Sequence, residues 1–284
     1  MTRTLRTTGA DLAVFSYGAG DPALPTVLLL HGYPDDHHVF DPLIAELGDR
    51  VRVLAYDTRA AGRSRVDDPG LGSFQLPLLA EDLFTVAATA GGPVHLLAHD
   101  WGSVQAWEAM RDPRAAEAFL SYTSVSGPSV DHLREWNRWH LRRPVDWPTI
   151  AVQLLRSWYV FGFALPGVRR LVPPLFRAVA HADLAGRDLG RDPERGGELY
   201  RANILQRMLC GPAPRCDVPT TLVLPTRDRY LSPRLAEDVD TWASDLEVMH
   251  VEAGHWWPGT HPVDATALLL RRLGTTSTRP ARHR

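Results

Sequence analysis

The chain alternates short, continuously apolar runs with longer segments in which apolar residues recur every three or four positions. The first pattern is typical of strands buried on both faces, and the second is typical of amphipathic helices. The predicted strands are residues 26–32, 51–57, 94–100, 118–127, 220–228 and 246–255, and the predicted helices are residues 40–48, 76–92 and 103–113. This alternation predicts a doubly wound, mostly parallel sheet with helices on both faces.

The alternation stops after Gly127 and resumes at about residue 220. The intervening segment is rich in Trp, Arg and Pro, has helical patterns at 149–163 and 197–209, and contains no strand-like run. A helical insertion late in the strand order predicts a lid over the crevice at the carboxyl ends of the strands. We therefore expect a core domain formed by residues 1–127 and 214–284 and a helical lid formed by residues 128–213.

Composition narrows the class of protein. The chain has 284 residues, is 44% hydrophobic and carries a net charge of −2, which is ordinary for one soluble domain and indicates no nucleic-acid or anionic-membrane partner. The start of the chain lacks a continuous apolar segment, and the most apolar stretch, residues 157–168, is too short to span a bilayer. We expect no signal peptide, no transmembrane segment, no second catalytic domain and a cytoplasmic location.

Three polar residues directly follow predicted strands. Asp100 lies in "AHDWG" (98–102), a strand–turn–helix pattern in which hydrolases place a nucleophile, usually serine, between small residues. Asp228 and His255 follow two later strands, which gives the chain order nucleophile, acid, histidine. Each residue alone has a plain structural explanation, such as helix capping or packing. Together, in this order, they predict a catalytic triad.

The loop "HGYP" (31–34) follows the first predicted strand of the parallel set. In the fold that carries such a triad, this loop supplies one backbone N–H of the oxyanion hole, here that of Tyr33, and Trp101 after the nucleophile supplies the other. The 12 histidines include the pair His37 and His38, but neither an HExxH motif nor a cysteine cluster accompanies them. We expect neither a metal site nor a cofactor.

An aspartate at the nucleophile position implies attack on a saturated carbon. A serine that opened an epoxide or displaced a halide would become an ether, which water does not readily cleave, whereas an aspartate becomes an ester. An aspartate is also ionised at neutral pH without a base. His255 is therefore left to activate the water that hydrolyses the ester of Asp100, with Asp228 orienting the imidazole.

The motifs "HGYP", "YDTRAAGRS" and "AHDWGS" and the final "GH" resemble those of the α/β-hydrolase-fold epoxide hydrolases. The resemblance implies that the protein opens a lipophilic epoxide to a vicinal diol through an aspartyl ester. It also implies that two lid tyrosines donate to the epoxide oxygen, Tyr159 in "WYVFGFALPG" and Tyr200 in "YRAN". Ala60 departs from the family pattern, which often has glycine there, and we expect it to serve turn packing.

Other functions remain open at this stage. "HDWG" is shared with haloalkane dehalogenases, in which Trp101 and a second N–H donor would hold the halide, and a non-catalytic binding protein or an esterase on the same fold are further alternatives. The aromatic residues of the lid predict an apolar pocket for a lipophilic substrate. They are Trp136, Trp139, Trp147, Trp158, Phe161 and Phe163, of which Trp158, Phe161 and Phe163 are the expected substrate-binding residues.

Overall fold

A nine-stranded sheet forms the centre of the computed structural model, which describes residues 1–18, 20–164, 193–213 and 215–277. The strands are β1 (Thr2–Thr7), β2 (Ala10–Tyr17), β3 (Thr26–Leu30), β4 (Arg52–Tyr56), β5 (Arg65–Val66), β6 (Val94–His99), β7 (Phe119–Val125), β8 (Thr220–Pro225) and β9 (Leu246–Val251). Their order is β1-β2-β4-β3-β6-β7-β8-β9, with β5 beside β2. The pairs from β4 to β9 along this order are parallel, and all pairs of β2 are antiparallel.

All six predicted strands are present. The sequence analysis missed β1, β2 and the two-residue β5. Strands β1 and β2 pair antiparallel with Thr2 opposite Phe15, and β5 pairs antiparallel with β2. The residues of β1 are mostly polar and exposed because this strand lies at the edge of the sheet. An edge strand with little buried surface has no apolar run that would identify it.

The central strands are buried on both faces. Successive side chains of a strand point to opposite faces, and Val27 and Leu29 of β3 belong to one hydrophobic cluster whereas Leu28 and Leu30 belong to the other. Every residue of β3 and β6 is buried. The continuous apolar runs therefore encode a layer with helices on each side, as predicted.

Ten α-helices surround the sheet in the described part of the chain. They are α1 (Asp41–Leu47), α2 (Leu76–Ala88), α3 (Trp101–Ala109), α4 (Ala115–Ala118), α5 (Val130–Leu141), α6 (Trp147–Arg156), α7 (Trp158–Ala164), α8 (Pro193–Cys210), α9 (Trp257–Thr260) and α10 (Pro262–Ser277). Helices α5 to α8 connect β7 to β8, and α8 contacts both α5 and α7. No helix in the described part of the chain is long and apolar enough to cross a membrane.

The segment predicted as a lid begins with α5 and ends with α8. Its predicted helix at 149–163 is two helices, because Ser157 ends α6 with a non-helical ψ of 20°. Residues 165–192 of the predicted lid lie outside the described residues.

The turn after β4 is fastened by a buried ion pair. Arg59 donates to both carboxylate oxygens of Asp82 on α2, at 2.5 and 2.9 Å, and to the carbonyl oxygen of Thr8 at 2.6 Å. The neighbouring Ala60 has a φ of 60° and its side chain lies in the hydrophobic core. Arg59 therefore joins the start of the chain, this turn and α2.

Removing one member of the buried pair should destabilise the fold strongly. The side chains of Arg59 and Asp82 are 0% and 3% exposed, so Asp82→Ala leaves an unpaired buried charge. We expect a loss of about 3–5 kcal/mol in the free energy of unfolding. The double variant Arg59→Met/Asp82→Leu should lose less than Asp82→Ala alone. Urea unfolding of the parent and the two variants measures this, and equal losses in both variants would show that the unpaired charge is not the cause of the destabilisation.

Candidate active site

Asp100 sits on a sharp turn between β6 and α3. Its φ is 53° and its ψ is −124°, a strained conformation of the kind that recurs at functional sites. The Asp100 N–H donates to the Val125 carbonyl at 3.0 Å. A Cβ atom on Gly102 would lie 2.4 Å from the Leu30 carbonyl oxygen, and one on Gly127 would lie 2.1 Å from the Asp100 carbonyl oxygen. The turn therefore requires glycine at these two positions.

The loop after β3 approaches Asp100 because β3 and β6 are parallel neighbours with Leu30 opposite Ala98. The Tyr33 backbone N–H donates to Asp100 Oδ1 at 2.8 Å. A Cβ atom on Gly32 would lie 2.3 Å from this oxygen and 2.6 Å from the Trp101 nitrogen. Trp101 begins α3, so its N–H has no acceptor within the helix. Both N–H groups predicted for an oxyanion hole thus lie beside Asp100.

Asp228, His255 and Asp100 form one row. Asp228 Oδ2 lies 2.8 Å from His255 Nδ1, and His255 Nε2 lies 3.4 Å from Asp100 Oδ2. Asp228 Oδ1 accepts the N–H groups of Tyr230 at 2.8 Å and Leu231 at 3.0 Å, which fixes the carboxylate. The ends of β6, β8 and β9 therefore bring together three residues that are far apart in sequence.

The charges in this row stabilise one another. Burial lowers the pKa of His255, but the carboxylates of Asp228 and Asp100 outweigh it and raise that pKa to about 10. Burial raises the pKa of Asp228, and the charge and hydrogen bond of His255 outweigh this effect, so the pKa lies below its usual range. At neutral pH the row holds an imidazolium between two carboxylates.

Tyr159 on α7 and Tyr200 on α8 lie near Asp100. Their ring centroids are 5.9 Å apart, and both side chains are buried. Burial is the largest cause that raises the pKa of both hydroxyls well above the usual value. The negative charge of Asp100 raises the pKa of both further, and the closeness of the Tyr159 hydroxyl raises that of Tyr200. The Tyr200 ring meets the Tyr159 ring and the Trp101 ring edge-on, with centroids 5.9 and 4.8 Å away. Both tyrosines are therefore protonated, and Tyr200 packs against the residue that follows Asp100.

The three expected substrate-binding residues differ in position. Phe163 is 1% exposed, stacks on Tyr200 at 4.9 Å and meets the edge of the Tyr33 ring at 5.5 Å, so it belongs to the wall around Asp100. Trp158 is 40% exposed. The side chain of Phe161 lies outside the described residues.

The wider expectation that the lid tryptophans line an apolar pocket is wrong for two of them. Trp139 and Trp147 are 55% and 57% exposed, on the surface of the lid. Trp136 is buried, but it packs against Ile150 and Leu235 in a separate cluster. Composition indicated that the lid is apolar without indicating which way each side chain faces.

The sequence analysis missed three neighbours of His255. The Tyr230 ring lies 5.0 Å from the imidazole and 5.8 Å from the Tyr159 ring. His99 Nε2 lies 2.9 Å from the His255 carbonyl oxygen, and Ser126 Oγ donates to the same oxygen at 3.2 Å. Burial, together with the charge of His255, lowers the pKa of His99 to about 3, so this ring is neutral and donates from Nε2. The only signal for these residues was their closeness to a strand end.

Asp36, His37 and His38 form the group that most resembles a metal site in the described ranges, with donor atoms within 4.8 Å of one another. One polar side-chain atom of each residue already has an internal partner. His37 Nδ1 lies 2.7 Å from Asp57 Oδ1, His38 Nδ1 lies 2.9 Å from a carboxylate oxygen of Asp41, and Asp36 accepts the His38 N–H. These contacts explain the cluster as structural.

Comparisons with known proteins agree with this geometry. A family model described as the alpha/beta hydrolase family matches residues 27–267. The probable oxidoreductase EphD of Mycobacterium tuberculosis is 35% identical over 279 residues, which cover 89% of this chain and 46% of EphD. Epoxide hydrolase 3 of Xenopus tropicalis is 32% identical over 155 residues, which cover 54% of this chain and 38% of that protein. This chain therefore spans about half the length of EphD, and less of the second relative.

Among solved structures, the epoxide hydrolase of Bacillus megaterium in complex with an inhibitor superposes with a TM-score of 0.74 at 20% identity. The match covers 96% of this chain and 100% of that one. At this identity the similarity is evidence for the fold. The predicted α/β-hydrolase fold is thus confirmed.

The charge of Asp100 should set the protonation of His255. Replacing the anion by an amide in Asp100→Asn should move the His255 pKa from about 10 toward its ordinary value, which ¹⁵N NMR titration of the imidazole nitrogens measures. Because the folded-state pKa is raised, His255 should stabilise the native protein below about pH 6.5, an effect lost as the pH rises through the folded-state value. An unchanged His255 titration in Asp100→Asn would contradict the coupling. His99 should stay neutral in both proteins.

Proposed function

The chain belongs to the alpha/beta hydrolase family, and we propose that it opens a lipophilic epoxide to a vicinal diol through an ester on Asp100. The observation that carries the proposal is the row from Asp100 through His255 to Asp228 with two protonated tyrosines buried near it. Relatives and structural neighbours named epoxide hydrolases support the choice of substrate class. Substrate and water are the only partners that this reaction requires, and no cofactor takes part.

The first half of the proposed reaction forms the ester. Asp100 Oδ1 already accepts the Tyr33 N–H, so Oδ2 is the oxygen that bonds to the epoxide carbon. The carbon–oxygen bond of the epoxide breaks, and its electron pair passes to the epoxide oxygen, which takes a proton from Tyr159 or Tyr200. An alkoxide is strongly basic, and a tyrosine is both a hydrogen-bond donor and an acid at neutral pH.

Ester formation changes the state of His255. It removes the negative charge of Asp100, one of the causes that raise the His255 pKa. The imidazolium then gives up its proton more readily, and this proton restores the tyrosine. His255 becomes a neutral base only after the ester exists, which orders the two half-reactions.

The second half hydrolyses the ester. His255 Nε2 takes a proton from a water whose oxygen attacks the Asp100 carboxyl carbon, and the negative charge that forms on Oδ1 is stabilised by the N–H groups of Tyr33 and Trp101. The bond between the Asp100 carboxyl carbon and Oδ2 then breaks, so that Oδ2 leaves as a hydroxyl oxygen of the diol. This oxygen takes the second proton of the water, and the Asp100 carboxylate is restored. His255 ends protonated beside Asp228, as it began.

The alternatives fit the geometry less well. A haloalkane dehalogenase needs only weak N–H donors for a halide, whereas two buried tyrosine hydroxyls, which are acids as well as donors, lie near Asp100. An esterase would have a hydroxyl in place of Asp100. A binding protein without activity has no need for a buried imidazolium between two carboxylates. We include the domain division in the proposal, with 1–127 and 214–284 as the core and 128–213 as the lid.

Replacing His255 should trap the ester. In His255→Gln the attack by Asp100 can still occur, but no base activates the water, so the protein should accumulate with one added substrate mass. Intact-mass spectrometry after incubation with a styrene-like epoxide measures this product, and peptide mapping should locate it at Asp100. The unmodified mass in Asp100→Asn is the matched control.

Two results would contradict this mechanism. One is normal turnover by His255→Gln, which would require another base. The other is a single turnover of the parent protein in ¹⁸O water that labels only the diol and never the Asp100 carboxylate, because water would then attack the substrate itself.

Removing the lid hydroxyls should slow epoxide opening. Tyr159→Phe and Tyr200→Phe should each lower the rate of ester formation by about 10- to 100-fold, and the double variant should nearly abolish it, because no acid then protonates the alkoxide. Stopped-flow or rapid-quench measurement with an epoxide gives the rate. Buried Tyr122→Phe, which removes a hydroxyl that bonds to Ser103, is the control for the loss of one hydroxyl.

A panel of chloroalkanes and bromoalkanes completes this test. We expect halide release to be absent or far slower than diol formation in the parent protein. Diol formation at the parent rate in the double tyrosine variant, together with halide release, would favour a dehalogenase.

A further inference from the structure

The outer surface of the lid is unusually apolar. Seven large apolar side chains between residues 139 and 155 are about half exposed or more, from 48% for Leu154 to 76% for Val145. We call this surface the outer lid patch, and it consists of Trp139, Leu141, Val145, Trp147, Val152, Leu154 and Leu155. Contiguous apolar surface of this kind on a soluble domain marks an interaction site.

Helix α6 carries the centre of the patch. Pro148, Ala151, Val152 and Leu155 are all exposed, and their spacing of three and four positions puts them on one helical face. The other side of the helix makes the contacts with the rest of the protein. Gln153 donates to the Tyr230 carbonyl at 3.0 Å and accepts the Ser232 N–H at 3.0 Å. The amphipathicity of α6 is therefore reversed, with apolar groups facing water.

The surface around the patch is positively charged. Residues 138–158 contain four arginines and one aspartate, a net charge of +3, whereas the whole chain carries −2. Arg143 pairs with Asp146, and Arg138 pairs with Glu135, each at 3.5 Å. Arg142 and Arg143 lie directly before α6, and the Arg143 guanidinium is 5.8 Å from the Trp139 ring. Tryptophan and arginine both combine an apolar body with a polar end, which suits them to a membrane–water boundary.

We propose that the outer lid patch lies against the surface of an anionic phospholipid bilayer. Its apolar side chains enter the headgroup region, and Arg142 and Arg143 contact lipid phosphates. A second copy of the chain fits less well, because a two-fold contact between identical patches brings the same arginines toward each other. The near-neutral net charge had argued against an anionic membrane, but attraction to a surface depends on charge within about a Debye length.

The proposal does not depend on the reaction, since binding to a vesicle requires no turnover. The proposal places the lid at the membrane surface. Tyr159 would then lie close to the bilayer, because only Ser157 separates α6 from α7, the helix that carries Tyr159. A lipophilic molecule dissolved in the bilayer would then meet the lid directly.

Flotation with vesicles tests the apolar contribution. The parent protein should float with vesicles of phosphatidylcholine containing about one third phosphatidylglycerol, and Val152→Glu/Leu155→Glu should reduce the bound fraction at least tenfold. The matched control is Val248→Glu/Val263→Glu, which adds the same charge at apolar residues that are 44% and 61% exposed on the core. It should bind like the parent protein. All of these positions are exposed, so the melting temperatures should agree with that of the parent.

Neutralising two arginines tests the electrostatic contribution. Arg142→Gln/Arg143→Gln should weaken binding by about 25-fold, since each basic residue near an anionic surface contributes about fivefold. The exposed pair Arg3→Gln/Arg215→Gln should change binding little. Binding by the parent protein should also weaken in 0.5 M NaCl and on pure phosphatidylcholine.

Three results would overturn the proposal. The first is no flotation of the parent protein with any of these vesicles, and the second is equal flotation of the Val152→Glu/Leu155→Glu variant. The third is a parent protein that sediments as a dimer without lipid while Val152→Glu/Leu155→Glu sediments as a monomer, which would assign the patch to a second copy.

Discussion

The structure depends on a positive imidazole buried between two carboxylates. A charge away from water is costly unless it is paired and hydrogen-bonded, and His255 satisfies this condition only where the ends of β6, β8 and β9 meet. The Asp228 carboxylate in turn needs the N–H groups of Tyr230 and Leu231. The row therefore requires the whole parallel sheet in its observed order, because a shift of one strand would leave a buried charge unpaired.

The strained turn at Asp100 follows from the same requirement. The side chain must point out of the sheet toward His255 while its backbone stays hydrogen-bonded to Val125 on the neighbouring strand. Only a left-handed conformation meets both demands, and neighbouring backbone leaves no room for a side chain at Gly102 or Gly127. Close approach of backbone to backbone, rather than flexibility, explains why glycine surrounds the turn.

The sequence was sufficient for the parallel strands and for the triad candidates because both depend on local order along the chain. A residue that follows a buried parallel strand must lie at one edge of the sheet, so Asp100, Asp228 and His255 could be predicted to converge. The contacts of His99 and Ser126 with the His255 carbonyl could not, since they depend on the direction in which each side chain points and on a backbone acceptor, which the order of residues does not specify.

The lid tryptophans illustrate a different limit. An aromatic residue on a helix is predicted to be buried, but the sequence does not say which surface it packs against. That depends on the rotation of the helix about its axis, which is fixed by its contacts with the rest of the protein. In α6 the contacts of Gln153 with the loop around Tyr230 fix that rotation. Trp147 and Leu155 consequently face outward, while the helix that follows turns Tyr159 inward to Asp100. The inward contacts of Gln153 and the burial of Ile150 on α6 thus determine both which apolar groups meet solvent and how the next helix is presented to the candidate nucleophile.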